Sequence, residues 1–204
     1  MQLLAVPVPR VLLPGGRIEI RLERSVWQSQ LDDGRPAAVA AFYRAGHLGA
    51  WPDVGTLAVI VGRRGEGDQI YLRLNGLRRI RTARALSHAP GVVEVAGRLD
   101  AADPEALSGG GTAELADEIV EVQTLVRRYH AAVVEHGERA DIGVELPTEP
   151  EAAAYRVASL LRVSEPERQF LLEAETTHDR LRRVTAALRR EIELLRRTMG
   201  PKGA

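Results

Sequence analysis

Residues 54–81, VGTLAVIVGRRGEGDQIYLRLNGLRRIR, constrain the fold more than any other part of the chain. Residues 56–61 are an apolar run rich in β-branched side chains, and 62–68 are rich in glycine and charge. Ile70, Leu72 and Leu74 then alternate with Tyr71 and Arg73, the period of two that marks a half-buried strand. Asn75-Gly76 is the strongest short hairpin signal, because a type I′ turn needs φ > 0 at both central positions. Residues 77–82 read as the returning strand. The expectation is a three-stranded meander with turns at 62–68 and 75–76.

The flanking residues extend the β pattern. Residues 3–8 begin a strand, and 11–16 form an apolar segment closed by a Pro-Gly-Gly turn. Ile18, Ile20 and Leu22 alternate with Arg17, Glu19 and Arg21. Residues 23–33 read as a helix with Val26, Trp27 and Leu31 inward, ended by Asp33-Gly34. Residues 37–43 form a strand with Val39, Ala41 and Tyr43 on one face. A loop with His47 and Trp51 follows, and 91–99 supply a last strand. Short strands with glycine turns at this spacing predict a closed or nearly closed small β-barrel over residues 1–100.

Residues 101–112, AADPEALSGGGT, read as a Gly-rich linker. Beyond it the period changes. Leu115, Ile119, Val122, Val126, Tyr129 and Val133 are spaced three and four apart, one stripe of a helix that ends near Gly137. Thr148–Glu151, Ser164–Glu167 and Thr176–Asp179 each have capping-box spacing, the first two with proline in the first turn. Leu181, Val184, Leu188, Ile192 and Leu195 stripe the last helix. The fold class is α+β, with a helical bundle over 113–199 and a tail at 200–204.

Composition excludes several chemistries. There is no cysteine, so no disulfide or thiolate site exists, which is compatible with a reducing cytoplasm. No apolar run approaches the ~20 residues of a membrane helix, and because Pro7, Pro9 and Arg10 interrupt the N-terminal one, no signal peptide is expected there. Net charge is zero but split: residues 1–100 carry 14 arginines against 9 acids, and the remainder is equally acidic. The five histidines have no metal-ligand spacing, and no serine lies in a nucleophile turn. No metal or cofactor is expected.

The order of barrel strands, Gly linker and capped helices resembles the N-terminal domain of Lon-type ATP-dependent proteases. Val11-Leu12-Leu13-Pro14-Gly15 resembles that family's apolar-Pro-Gly segment, with Leu13 where phenylalanine is usual. Val54-Gly55-Thr56-Leu57-Ala58 resembles its strand-opening motif, and Gly76-Leu77-Arg78-Arg79-Ile80 its glycine-arginine strand. Residues 160–172 and 181–195 resemble its last helices. The resemblance implies a PUA-like barrel followed by a helical bundle. It further implies substrate recognition and a part in oligomer assembly, with ATPase and protease domains elsewhere. Pro14, Gly15, Gly55, Thr56, Gly76 and Arg79 would be its structural residues. The sequence contains no G-x-x-x-x-G-K-[ST]. Its one lysine, Lys202, is not placed to serve a Ser–Lys dyad. The expectation is a non-catalytic module that binds unfolded or extended polypeptide, alone or as an adaptor for a protease, as a possible homo-oligomer.

Two surfaces compete for a binding role. Trp51, before Pro52 in a glycine-containing loop, is the best exposed aromatic, with His47 and Phe42 beside it as polypeptide contacts. Barrel edges could also accept extended peptide by strand addition. Alternatively Arg73, Arg78, Arg81 and Arg84 could hold RNA phosphates, with Tyr71 as the interleaved aromatic. The plainer reading of these arginines is solvated alternation, with the Arg79 stem packed across the barrel. The arginines of the last helix, Arg180 included, read as a charged outer face.

Overall fold

The computed structural model describes residues 2–32, 37–44, 51–89, 92–99, 112–137 and 145–198, which fall in two units, Met1–Ala101 and Ala102–Ala204. His47, the Asp33-Gly34 helix stop, linker residues 101–111 and the tail at 200–204 lie outside the described residues.

The first unit contains β1 (Gln2–Val8), β2 (Arg17–Glu23), α1 (Arg24–Asp32), β3 (Ala38–Tyr43), β4 (Val54–Glu66), β5 (Gln69–Ala89) and β6 (Val92–Leu99). The strand order is β2-β5-β4-β3-β1-β6, and an added β5–β6 pairing closes β5, β4, β3, β1 and β6 into a ring. The β1–β3 pair is parallel and the others are antiparallel. β2 stands outside the ring, paired with the first part of β5. This is the small closed barrel that the strand spacing predicts.

The meander differs from expectation. β4 continues through 62–66, and the turn lies at Gly67-Asp68, where Gly67 takes φ +53°. β5 then runs 21 residues straight through Asn75-Gly76. Leu57 faces Arg78 while Ala58 faces Gly76, so Leu77 is the extra residue of a β-bulge. Val61 is the extra residue of a second bulge, between Ile60 and Gly62. Bulges bend and twist a strand, which allows one strand to serve β2 at one end and β6 at the other. The local turn preference of Asn-Gly loses because Gly76 is needed as strand. Its N–H donates to Gly16 O and its carbonyl accepts from Gly15 N, both at 2.9 Å. A Cβ at Gly76 would stand 2.5 Å from Leu13 O.

Two apolar clusters lie on opposite faces of the strands. The larger joins Ile18, Ile20 and Leu22 of β2 to Ile70, Leu72 and Leu74 of β5, and α1 covers it with Trp27 and Leu31. The smaller contains Ala5, Ala40, Phe42, Ile80 and Val95, with Leu3 and Trp51 packed against it. Val39 and Ala41 face the larger cluster as the alternation predicts, while Ala40 and Phe42 fill the other. β3 is therefore buried on both faces.

The second unit contains α2 (Thr112–Glu135), α3 (Pro150–Leu160), α4 (Glu165–Leu172) and α5 (Thr177–Thr198). Leu115, Val122, Val126, Tyr129 and Val133 of α2 are buried, and Gly137 follows its end at φ +80°. α2 and α5 run parallel. His178 lies 2.9 Å from Glu118 near their starts, and Thr198 Oγ1 lies 3.0 Å from His136 Nε2 near their ends. Ser164 and Glu167 form the expected capping box on α4, and Asp179 N donates to Thr176 Oγ1 at the start of α5. α3 is capped by Glu149 rather than Thr148, since the Glu149 carboxylate reaches the N–H groups of Glu151 and Ala152. Arg180 is not on an outer face but only 2% exposed. Its guanidinium lies over Tyr155 at 4.4 Å and donates to Ala174 O at 2.8 Å. It sits one residue before Leu181, on the edge of the stripe that α5 buries.

Gly76→Ala should destabilise the chain by about 1–3 kcal/mol, the usual cost of overpacking, read as a lowered urea midpoint. An unchanged midpoint would mean that 12–16 does not pack on β5 as described. A second expectation concerns Glu167. Its carboxyl is held below the usual carboxylate value, first by the Ser164 hydroxyl, then by the Ser164 N–H and the Arg190 charge. A depressed pKa stabilises the fold above the unfolded value, and this is lost as pH falls through the folded value. Ser164→Ala should therefore move the Glu167 carboxyl upward in an NMR titration and weaken the fold's resistance to urea at neutral pH more than in acid.

Candidate functional site

The residues of the three sequence motifs meet in space. Pro14 and Gly15 turn the chain, with Gly15 at φ +76°, so that Leu12–Gly16 lies against β4 and β5. Thr56, fully buried, donates its hydroxyl to Leu12 O. Gly76 receives the two backbone bonds already described, and its missing Cβ would also stand 3.1 Å from Thr56 Cγ2. Thr56 pairs with Arg79 across the ladder, and Arg79 is buried at 6% exposure. Each of these residues builds the barrel.

One strand position away the same motif supports a surface aromatic. Gly55 lies beneath the Phe42 ring: a Cβ there would stand 2.5 Å from the ring and 2.6 Å from Ala41 O. Phe42 in turn meets Trp51 edge to face, with centroids 5.7 Å apart and planes at 89°. The Arg44 guanidinium lies 4.9 Å from the Trp51 ring centre. Asp53 O accepts from Thr82 N at 2.7 Å and ties the end of the Trp51 segment to β5. Trp51 is half-buried, so part of its indole stays open to solvent.

Of the three aromatic-loop residues, the structure keeps Trp51 at the surface and removes Phe42 from it. Phe42 is fully buried because both faces of β3 are covered, so it positions Trp51 and has no surface to offer a ligand. The run AVAAFY of β3 carried that signal, since a strand apolar at every position is buried on two sides.

The meander arginines do not form one patch. Arg73 pairs with Gly62 and Arg78 with Leu57, on the face opposite the larger core, and both are exposed. Arg81 pairs with Val54 and is half-buried. The Arg84 side chain lies outside the described ones. Tyr71 is already covered: Arg64 stacks on it at 3.8 Å while bonding Glu19 at 3.2 Å and Glu66 at 2.8 Å. Those bonds, that to Glu19 first, hold the Arg64 guanidinium above its usual pKa. Arg63 is paired with Asp32 at 2.8 Å. Sequence reasoning overlooked Val61 and Leu77, the two bulge residues, which are about half exposed. Their signal was a break in alternation, at Ile60-Val61 and again across Leu74–Leu77.

A family model described as the ATP-dependent protease La (LON) substrate-binding domain matches residues 2–190. Among curated proteins the comparison finds no match. Among solved structures, a Lon N-terminal domain protein from Xanthomonas campestris is 24% identical, with a TM-score of 0.61, covering 91% of this chain and 98% of that one. The N-terminal domain of the Mycobacterium avium complex Lon protease is 19% identical, with a TM-score of 0.66, covering 93% of this chain and 98% of that one. Both share the fold.

The Gly55–Phe42–Trp51 stack makes a specific demand. Gly55→Ala should cost roughly 1–3 kcal/mol by overpacking and tilt the indole outward. In a Trp27→Phe background, acrylamide should then quench Trp51 fluorescence more strongly. Unchanged quenching would detach Trp51 from the Phe42 pedestal.

Proposed function

The chain belongs to the family of LON substrate-binding domains, and on that premise we propose that it is a binding module for unfolded or extended polypeptide. The observation that carries this reading is Trp51. A partly buried tryptophan offers an amphipathic contact, and here a buried ring and a neighbouring guanidinium hold it in place. Such a contact accepts many apolar side chains without demanding one sequence. Binding of this kind requires no bond to be made or broken, so the module works without catalysis of its own. It serves alone or as an adaptor that delivers clients to a protease. His47, four positions before Trp51 in the sequence, is a further proposed contact.

RNA binding through Arg73, Arg78, Arg81 and Arg84 has weaker support. Sequence-tolerant nucleic-acid grooves interleave cations with free aromatic faces. The aromatic among these arginines, Tyr71, lies beneath Arg64.

The test is titration of the full chain with a reduced, alkylated model protein, followed by calorimetry. Trp51→Ala should weaken binding about 5- to 30-fold, the usual effect of removing an aromatic anchor, measured below the modestly lowered thermal midpoint that loss of the packing on Phe42 brings. Equal affinity of variant and parent would remove Trp51 from the contact. No binding by the parent at any concentration would defeat the reading altogether.

A further inference from the structure

Both bulges push an apolar side chain to the surface next to an arginine. Leu77 is 48% exposed and precedes Arg78; Val61 is 50% exposed and precedes Gly62, the partner of Arg73. The Arg73 side chain lies across Gly62, where a Cβ would stand 2.6 Å from its Nε. Val59, half-buried, pairs with Asn75 between the two arginines. The neighbouring cations are occupied: Arg63 by Asp32, and Arg64 by Glu19 and Glu66. Arg73 and Arg78, by contrast, make no ion pair among the described residues. The face therefore carries two couples, each an exposed aliphatic beside a guanidinium that has no ion pair among the described residues, in a half of the chain with 14 arginines against 9 acids.

The couples have a fixed spacing. Leu57–Arg78 and Gly62–Arg73 are four ladder steps apart, about 13 Å at the usual strand rise. Side chains at i and i+4 of an extended polypeptide are separated by the same distance. We propose that this face of β4 and β5 takes an extended apolar segment bearing carboxylates about four residues apart, so that the module selects acidic over basic unfolded chains. The proposal rests on the polypeptide-binding reading and adds a charge preference to it. The carboxylates meet Arg73 and Arg78, and the apolar side chains between them lie on Val59, Val61 and Leu77.

Fluorescence anisotropy of the full chain with three labelled 12-residue peptides tests it. One carries two glutamates four apart in an apolar background, the second carries lysines there, and the third has its two glutamates adjacent. The spaced acidic peptide should bind at least ~5-fold more tightly than the lysine peptide, with the adjacent-glutamate peptide between them. The gap should narrow as salt rises. Both arginines are exposed, so Arg73→Glu with Arg78→Glu should fold and should reverse the order. Equal affinities, or a preference that survives the double reversal, would overturn the proposal. If the alkylated model protein still binds in that case, the polypeptide-binding reading stands; if it does not, both fall. A structured RNA that binds the parent but not the double variant, with the peptides unsorted, would also overturn it and reassign the arginines to phosphate.

Discussion

The close approach of Leu12–Gly16 to β4 and β5 is the contact on which the barrel depends. That segment belongs to no strand, yet Leu12 and Leu13 are buried, so its backbone groups require partners away from water. Thr56 supplies a hydroxyl to Leu12 O, while Gly15 and Gly16 exchange bonds with Gly76. A buried polar group left without a partner costs about 1–3 kcal/mol, and here three bonds fall within one turn. They form only because Gly76 has no side chain. The same docking explains why β5 passes through Asn75-Gly76 without reversing: a turn there would withdraw the groups that Gly15 and Gly16 need.

What the sequence reveals of this fold follows how local each determinant is. The Ile18, Ile20 and Leu22 alternation, the α2 stripe and the Ser164 box are set within a few residues, and each is found where the pattern puts it. Asn75-Gly76 is different. Its local preference is strong, but the competing bonds come from residues sixty positions earlier, which a window cannot contain. Thr148 lost its cap to the adjacent Glu149, whose longer side chain reaches two N–H groups instead of one. Arg180 shows the same limit on the helices. Charge placed it outside, whereas the Tyr155 ring and the Ala174 carbonyl supply a buried niche for a guanidinium.

The candidate site was legible in a similar proportion. Trp51 could be singled out because tryptophan before proline in a glycine-containing loop is costly to leave there without reason. Its support could not be read, since Phe42, Gly55 and Trp51 meet only when β3 and β4 pair. The arginines misled in the opposite direction. They are neighbours in sequence, but a strand alternates its faces and the Leu77 bulge shifts the alternation. Arg78 and Arg79 consequently point to different sides, one exposed and one buried.

Ring closure also bears on how such a module would hold an extended chain. Strand addition needs a free row of N–H and C=O groups, and pairing of β6 with both β1 and β5 leaves few of them. Beyond Val59, where β3 stops pairing, β4 is met by α1: Arg63 bonds Asp32 at 2.8 Å and reaches Leu31 O. The outer edge of β2 remains, but its solvent face is Arg17, Glu19, Arg21 and Glu23, the alternating charge that discourages another strand from adding. A barrel closed in this way offers a ligand side chains more readily than backbone. Bulges are where a closed sheet presents an aliphatic group outward without giving up its ladder, and Val61 and Leu77 occupy those positions. Recognition through them would tolerate many sequences, because no backbone register has to be matched, and would leave charge as the means of telling one extended chain from another.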